Sequence, residues 1–323
     1  MGAPTQTLAS LRPDIAESME EFDLAADREG FVGLEILPIK SVAKASGNFG
    51  RIPVNKLLKH PETARAPGTG FGRGRFRFEP DTYTTEEHGW EEAVDNQEAE
   101  IYSDYFDSEL VAAGICLDVV LRAQEQRIYD AVLNTTVFTG DLTSALGTPW
   151  STTSSDPITD MKNKRQAVWA KCGLWPDTLV INEFTFQNLQ MNEAIIDRIT
   201  SNGAGQAAKP SDITAAMLAM LFNLKQVLVS RATKNAANQE QTADFDPMWP
   251  TAKALLFRKH AAPSFKLPGL GRTIAWQELG PDQPAYESYD EVQIDGRVIR
   301  YRHRVGEKLL LPECAHVITN VAA

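Results

Sequence analysis

Apolar positions recur along the chain with two periods, near 3.6 and near 2, and the change from one to the other marks out its elements. Leu11, Ile15 and Met19 stand four apart and predict a short helix within an N-terminal arm, residues 1–47. Residues 31–47 are apolar and contain Pro38, which predicts an extended strand with a bend. Ile52 to Leu58 and Phe71 to Phe78 read as two strands joined through His60-Pro61 and a loop tip at Pro67-Gly68-Thr69-Gly70. In the second of them the period of two puts Arg73, Arg75 and Arg77 on one face and Phe76 and Phe78 on the other. Residues 48–94 are therefore expected to form a long two-stranded loop. A lone hairpin is marginal in water, so this one is expected to rest on another subunit.

From 95 to 134 the period returns to threes and fours. Phe106, Leu110, Ala113, Leu117, Leu121, Ile128 and Ala131 predict one long helix, with a single wider step across Gln124. Residues 107–134 alone would span about 40 Å at 1.5 Å per residue, the length of a structural spine. A loop rich in Thr, Ser, Gly and Pro follows at 139–157, then a helix from Asp160 to Lys171. Beyond Pro176 the pattern is mixed. Thr178 to Ile181 predicts a buried strand, with Asn182 capping a helix after it. Ser211 or Asp212 is expected to cap a helix containing Ile213, Met217, Met220, Leu221 and Leu224. Val227 to Val229 and Ala254 to Phe257 predict strands, and the polar stretch Lys234 to Asp246 a mobile loop. Tyr286 to Ile294 and Val298 to Val305 flank Asp295-Gly296, a strong hairpin signal. Lys308 to Val321 is expected to return as a closing strand.

Charge changes this picture at one place. From Lys40 to Phe78 nine Lys and Arg stand against one acid, Glu62; from Glu79 to Leu121 thirteen acids stand against no Lys or Arg. Adjacent blocks of opposite sign allow the basic block of one copy to meet the acidic block of the next, a head-to-tail contact that builds rings or open arrays. The expected intersubunit residues are Arg51, Arg73, Arg75 and Arg77 on one side and Glu86, Glu87, Glu91 and Glu92 on the other. The 323 residues suffice for one large or two modest domains, and 43% hydrophobic content is that of an ordered globular chain. A net charge of -11 argues against broad electrostatic binding to nucleic acid. Three widely spaced cysteines predict reduced thiols in a cytoplasmic product and no disulfide framework. The first residues lack the basic start and apolar run of a signal peptide, and no segment reaches the ~20 apolar residues of a membrane span.

Candidate chemistry is sparse. Gly68, Gly70, Gly72 and Gly74 fit neither the dinucleotide fingerprint nor the Walker pattern, and read as a flexible hairpin tip. The run Arg73 to Phe78 has an alternative reading as an RNA-binding strand, without the full ribonucleoprotein pattern. Arg300, Arg302 and Arg304 alternate along a strand and could grip phosphate. The hairpin partner carries Glu287, Asp290 and Glu291, so cross-strand pairing is the reading preferred. The five histidines show no metal spacing, and Cys314 with His316 lacks a third ligand. No Gly-x-Ser-x-Gly elbow occurs. Glu86-Glu87 and Glu91-Glu92 offer general acid–base groups in principle, and a solvated or partner-facing surface more simply. No catalytic residue, cofactor or metal is expected.

The order of parts resembles the major capsid proteins of tailed bacteriophages, the Hong Kong 97-type fold. Asp177-Thr178-Leu179-Val180-Ile181-Asn182-Glu183-Phe184-Thr185-Phe186 is similar to that family's strand-then-helix entry to its axial domain. Ser211 to Ser230, Trp249 with Ala254-Leu255-Leu256-Phe257, and Arg297 to Val321 resemble the units that follow. The resemblance runs from about Gly30 onward. It implies an α+β fold with an N-terminal arm (1–47), an extended β-hairpin loop over a neighbouring subunit (48–94), a peripheral domain with a long spine helix (95–176 and 301–323) and an axial α/β domain (177–300). It implies hexamers and pentamers in an icosahedral shell around double-stranded DNA, built in the bacterial cytoplasm and carried in the virion. It also implies a portal, a decoration protein in some relatives and, since the chain starts almost at the arm, a separate scaffolding protein. Lys56 and Lys59 could supply the amine of a covalent cross-link, but no partner Asn and acid are identifiable, so none is expected. The alternatives are an encapsulin-like compartment enclosing cargo protein, a nucleic-acid-binding module using the arginine hairpin, and an enzyme with an acidic site.

Overall fold

The run Thr178–Asn182 forms a strand buried along its whole length because its sheet is covered on both faces. In the computed structural model, which describes residues 10–11, 30–51, 53–54, 58–60, 63–74, 79–103, 107–201, 213–237, 241–259, 264, 267–276 and 285–322, this strand is fourth of five. The order is Thr143–Ala145, Ala315–Thr319, Lys253–Phe257, Thr178–Asn182, Gln226–Ser230. Leu179, Ile181, Leu256 and Ile318 share one core with Met161 and Val168 of helix Pro157–Cys172 and Leu189 of helix Glu183–Gln190. Val180, Leu255, Phe257 and Val317 share another with Ile36, Leu37, Ile128 and Val132. Each such Leu, Ile or Val side chain contributes about 1.5–3 kcal/mol by leaving water. Asn182 fixes the exit from the strand. Its side chain accepts from Phe184 N–H at 2.8 Å and donates to the Trp249 carbonyl at 2.7 Å.

One long strand, Gly296–Leu309, organises a second sheet. It pairs on one edge with Ala285–Glu291 and then Gly271–Trp276, and on the other with Glu86–Asp95. Ile39–Val42 and Ser10–Leu11 extend this sheet at its two ends. Asp295, in the left-handed region at φ 44°, closes the hairpin loop, and the expected hairpin is present.

The spine helix, Ser108–Val132, joins the two sheets. Asp107 caps it, accepting from Glu109 and Leu110 N–H. Ala113, Cys116 and Val120 pack with Ile299 and Tyr301 of the second sheet, while Ile128 and Val132 pack on the first. Its buried stripe is Ala113, Cys116, Val120, Gln124, Ile128 and Val132; Ala113 and Ile128 are as expected, Cys116, Val120 and Val132 replace neighbours one position away, and Gln124 lies within the stripe. Glu125 is buried too. Its carboxylate accepts from Val32 N–H at 3.0 Å, Gly33 N–H at 2.8 Å and Trp249 Nε1 at 2.8 Å. Burial pushes its pKa up, against those three donors.

Several expected elements lie elsewhere. The helix expected from 95 divides: residues 86–95 are held extended by pairing with Gly296–Val305, a short helix covers Asn96–Tyr102, and the spine begins at Ser108. The strand expected over 31–47 starts as a short helix, Gly33–Ile36, whose first N–H groups the Glu125 carboxylate satisfies. The paired strands described in the extended loop are Ser46–Arg51 and Glu79–Thr84; most of Ile52–Leu58 and half of Phe71–Phe78, where strands were expected, lie outside the described residues. Leu58 N–H bonds to the Val54 carbonyl, and Phe71 to Gly74 is not a strand. Arg75, Phe76, Arg77 and Phe78 lie outside the described residues, as do Lys56, Ser211 and Asp212 and, apart from Leu11, the N-terminal helix on Leu11, Ile15 and Met19; Leu11 belongs to the strand Ser10–Leu11. Thr214 caps the helix Ala215–Leu221, which excludes Ile213 and Leu224. Within Lys234 to Asp246, the ends pair as strands Thr233–Asn235 and Phe245–Pro247. Position 300/301, an expected domain boundary, falls inside Gly296–Leu309, and the closing strand Ala315–Thr319 pairs with Lys253–Phe257.

Candidate functional site: a charged ladder and a projecting loop

The second sheet gathers charge on the face away from the spine helix. In the register Glu87 stands opposite Arg304, Gly89 opposite Arg302 and Glu91 opposite Arg300, while Glu287 stands opposite Arg300 on the other edge. Arg302 bonds to Glu87 at 2.7 Å and to Glu287 at 3.0 Å. Arg304 bonds to Glu87 at 2.8 Å and lies over the Trp276 ring at 4.5 Å. Arg300 pairs with Glu91 and reaches Glu287 at 3.4 Å. Glu287 is 5% exposed, so its charge depends on these two guanidinium groups. The hydrogen bond from Arg302 holds the Glu87 carboxyl below its ordinary range, and Glu287 and Glu87 hold the Arg302 pKa up. On the helix side of the same strand, Arg297 bonds Glu109 of the spine helix at 2.6 Å and Asp290 at 3.1 Å. The cross-strand reading of these arginines is thus present, with a second acidic strand, Glu86–Asp95, on the far edge.

The opposite face of the same strands is apolar and histidine-bearing. His303 is fully buried beside His88, with ring centroids 6.0 Å apart. Among the described residues neither ring nitrogen of His303 has a hydrogen-bond partner. Burial, with the nearby Arg127 charge, pulls its pKa down to about 4.

The loop leaves this sheet through the ribbon Ser46–Arg51/Glu79–Thr84. Its root is pinned to its own chain: Arg51 bonds Glu79 at 2.9 Å and the Leu310 carbonyl at 2.9 Å, and Lys308 bonds Asp81 at 2.7 Å. In its far part, among the described residues, Leu58 lies against Gly173, and the remaining bonds stay within the loop. Residues 58–60 and 63–74 are exposed throughout. Thr69 N–H and Oγ bond to the Ala66 carbonyl around Gly68 at φ 84°, a tight turn that only Gly takes without strain. A Cβ added at Gly68, Gly70 or Gly74 would meet nothing within 4 Å. Arg65 stacks on Phe71 at 4.7 Å, and Phe71 is 70% exposed.

Of the residues expected to meet another subunit, then, Arg51, Glu87 and Glu91 are engaged within their own chain, and Glu92 accepts from Trp90 Nε1 at 2.8 Å. Glu86 and Arg73 are exposed. The partners that sequence reasoning missed are Arg300, Arg302 and Arg304 for the acidic strand. The matching signal was present: acids four apart at Glu87 and Glu91 suit a strand whose arginines alternate. No helix is long and apolar enough to cross a membrane among the described residues.

Comparison with protein-family models gives no match, and neither does comparison with curated proteins. Solved structures do match. A phage-related protein of Bordetella bronchiseptica is 19% identical, with 98% of each chain covered and a TM-score of 0.67. The capsid of cyanophage P-SCSP1u is 10% identical over 88% of this chain and 86% of its own, with a TM-score of 0.61. An encapsulin complex from Synechococcus elongatus is 10% identical over 99% and 92%, with a TM-score of 0.54. The chain therefore has the Hong Kong 97-type capsid fold, as the resemblance in its sequence implied.

Proposed function

We propose that this chain is the major capsid protein of a tailed bacteriophage, assembling into hexamers and pentamers of an icosahedral shell around double-stranded DNA. The observation that carries the reading is the projecting loop: an anchored root and a far part that touches little of its own chain. Such a segment gains its contacts from a neighbouring copy. Arg73, Arg75 and Arg77 would face acids of that copy, Glu86 and Glu92 among them, with the rest of the acidic strand kept rigid by its own arginines. The spine helix and the second sheet would form the peripheral part of the subunit and the five-stranded sheet with its helices the axial part. A separate scaffolding protein, a portal and, in some relatives, a decoration protein complete the expected partners. No catalytic step is assigned.

The likeness to an encapsulin favours one second reading, a compartment around cargo protein. Electron microscopy of the expressed chain, with and without a co-expressed scaffolding protein, tests the shell; nuclease-protected DNA in particles from infected cells separates the two readings. Closed particles built of pentamers and hexamers are expected. A chain that stays monomeric under every such condition would defeat both readings.

A further inference from the structure

Two thiols from distant parts of the chain meet beside the root of the loop. Cys172 ends the helix Pro157–Cys172, where Gly173 turns the backbone at φ 72° and donates to the Trp169 carbonyl at 2.7 Å. Cys314 ends the short 3-10 turn Pro312–Cys314, and its carbonyl accepts from Arg258 N–H at 3.0 Å. The Cys172 thiol donates to the Leu174 carbonyl at 3.3 Å. Both cysteines line one crevice of about 230 Å³, rimmed by Arg51, Glu79, Lys171 and Glu313. The neighbouring Cys314 thiol, aided by the Arg258 charge, pulls the Cys172 pKa down, while Cys172 and burial push that of Cys314 up. Cys172 is the more exposed of the two, 6% against 0%, so it is the sulfur placed to attack and Cys314 the one placed to resolve. Cys116 lacks this arrangement: it is fully buried under the second sheet, and burial pushes its pKa up to about 12.

We propose that Cys172 and Cys314 form a dithiol modification site that exchanges with a small-molecule disulfide and closes an intrachain disulfide under the loop root. The Cys172 thiolate attacks one sulfur of R–S–S–R; a Cys172–S–S–R bond forms and R–S⁻ leaves. The Cys314 sulfur then attacks Cys172 Sγ, its proton passing to solvent or to a released thiolate, and the second R–S⁻ departs. Two electrons pass from the protein sulfurs to the small disulfide, giving one protein disulfide, one R–S⁻ and one R–SH. The new bond ties the end of helix Pro157–Cys172 to the segment before strand Ala315–Thr319. Arg51, which anchors the loop to Leu310 and Glu79, lines the same crevice, so oxidation fixes the floor on which the loop stands. Both sulfurs belong to one chain, so the site does not depend on shell assembly.

The test treats the purified, folded full chain with oxidised glutathione, counts free thiols and maps non-reduced peptides by mass spectrometry. Two of the three thiols are expected to disappear, with a Cys172–Cys314 peptide and an unmodified Cys116. Cys116→Ser should leave that link intact, and Cys314→Ser should trap glutathione on Cys172. A lasting glutathione adduct on the native chain without the link, a link through Cys116, or no thiol loss under conditions that oxidise the denaturant-unfolded chain would each overturn the proposal.

Discussion

Two arginine triplets stand at alternate positions in this chain, and their described members have opposite surroundings. Arg300, Arg302 and Arg304 lie in a strand flanked on both edges by acidic strands, and Glu87, Glu91 and Glu287 answer them at bonding distance. Arg73 begins the other triplet in an exposed, non-strand segment. The spacing in Gly296–Leu309 serves the pairing of the subunit's own strands, while Arg73 is exposed. Several acids beyond Phe78/Glu79, Asp81, Glu87, Glu91 and Glu109 among them, are neutralised within the chain by its C-terminal hairpin.

The largest expected effect would break that contrast at the loop. Reversing Arg73, Arg75 and Arg77 together to Glu should abolish shell formation while the monomer unfolds at the wild-type denaturant midpoint. Particle counts by electron microscopy and a denaturation curve measure the two halves. Normal particles would remove the loop arginines from assembly. Assembly of the wild type should also weaken with salt, as screening shortens to a Debye length of about 3 Å at 1 M.

The same substitution logic applied to the ladder should give the reverse. Glu287→Ala takes a buried carboxylate from two guanidinium groups and should cost the monomer about 2–4 kcal/mol, read from the denaturant midpoint. Glu91→Ala, at a half-exposed position, should cost less than about 1 kcal/mol. Equal losses at the two positions would show that burial does not set the worth of these pairs.

Acid offers a finer probe of the ladder's underside. His303 titrates near 6.5 when unfolded and near 4 when folded, so the unfolded chain binds the extra proton between those values. Its contribution is complete above about 6.5 and is lost as pH falls toward 4. Glu87, whose folded pKa is lowered, adds a loss of the same sign below the ordinary carboxylate range. His303→Phe should flatten the upper part of the stability–pH curve. An unchanged slope would place the titration elsewhere, His316 being the other buried histidine pulled down to about 4.

The contrast also explains what the sequence could reveal. The buried strand Thr178–Asn182, its Asn182 cap, the helix Pro157–Cys172 and the Asp295-Gly296 hairpin were legible because each is encoded by neighbours in the chain. The strand Glu86–Asp95 was not. Its residues are polar and acidic, and its extended form comes from pairing with residues some two hundred positions away. Arg51 was expected at a contact between subunits; the pairing of Ser46–Arg51 with Glu79–Thr84 sets it against Glu79 of its own chain instead. Nothing in the sequence pattern singles out Glu125; three donors from two distant segments make it an interior cap. The partners of charged residues here are non-local, and local pattern cannot name them.

The smallest expected effect sits at the loop tip. Phe71→Ala removes a ring that is 70% exposed and touched by Arg65, so monomer stability should change by less than about 0.5 kcal/mol. An exposed aromatic on a projecting segment is the kind of side chain that anchors an interface once a partner covers it. If the loop lies on a neighbouring copy, the loss should appear only in assembly, as a raised protein concentration for shell formation at constant salt. The triple charge reversal tests long-range attraction, whereas this change tests close packing, and salt distinguishes them: the Phe71→Ala defect should persist at high salt, where the arginines are screened. A defect that vanished with salt would mean that the ring serves only to hold Arg65 in place.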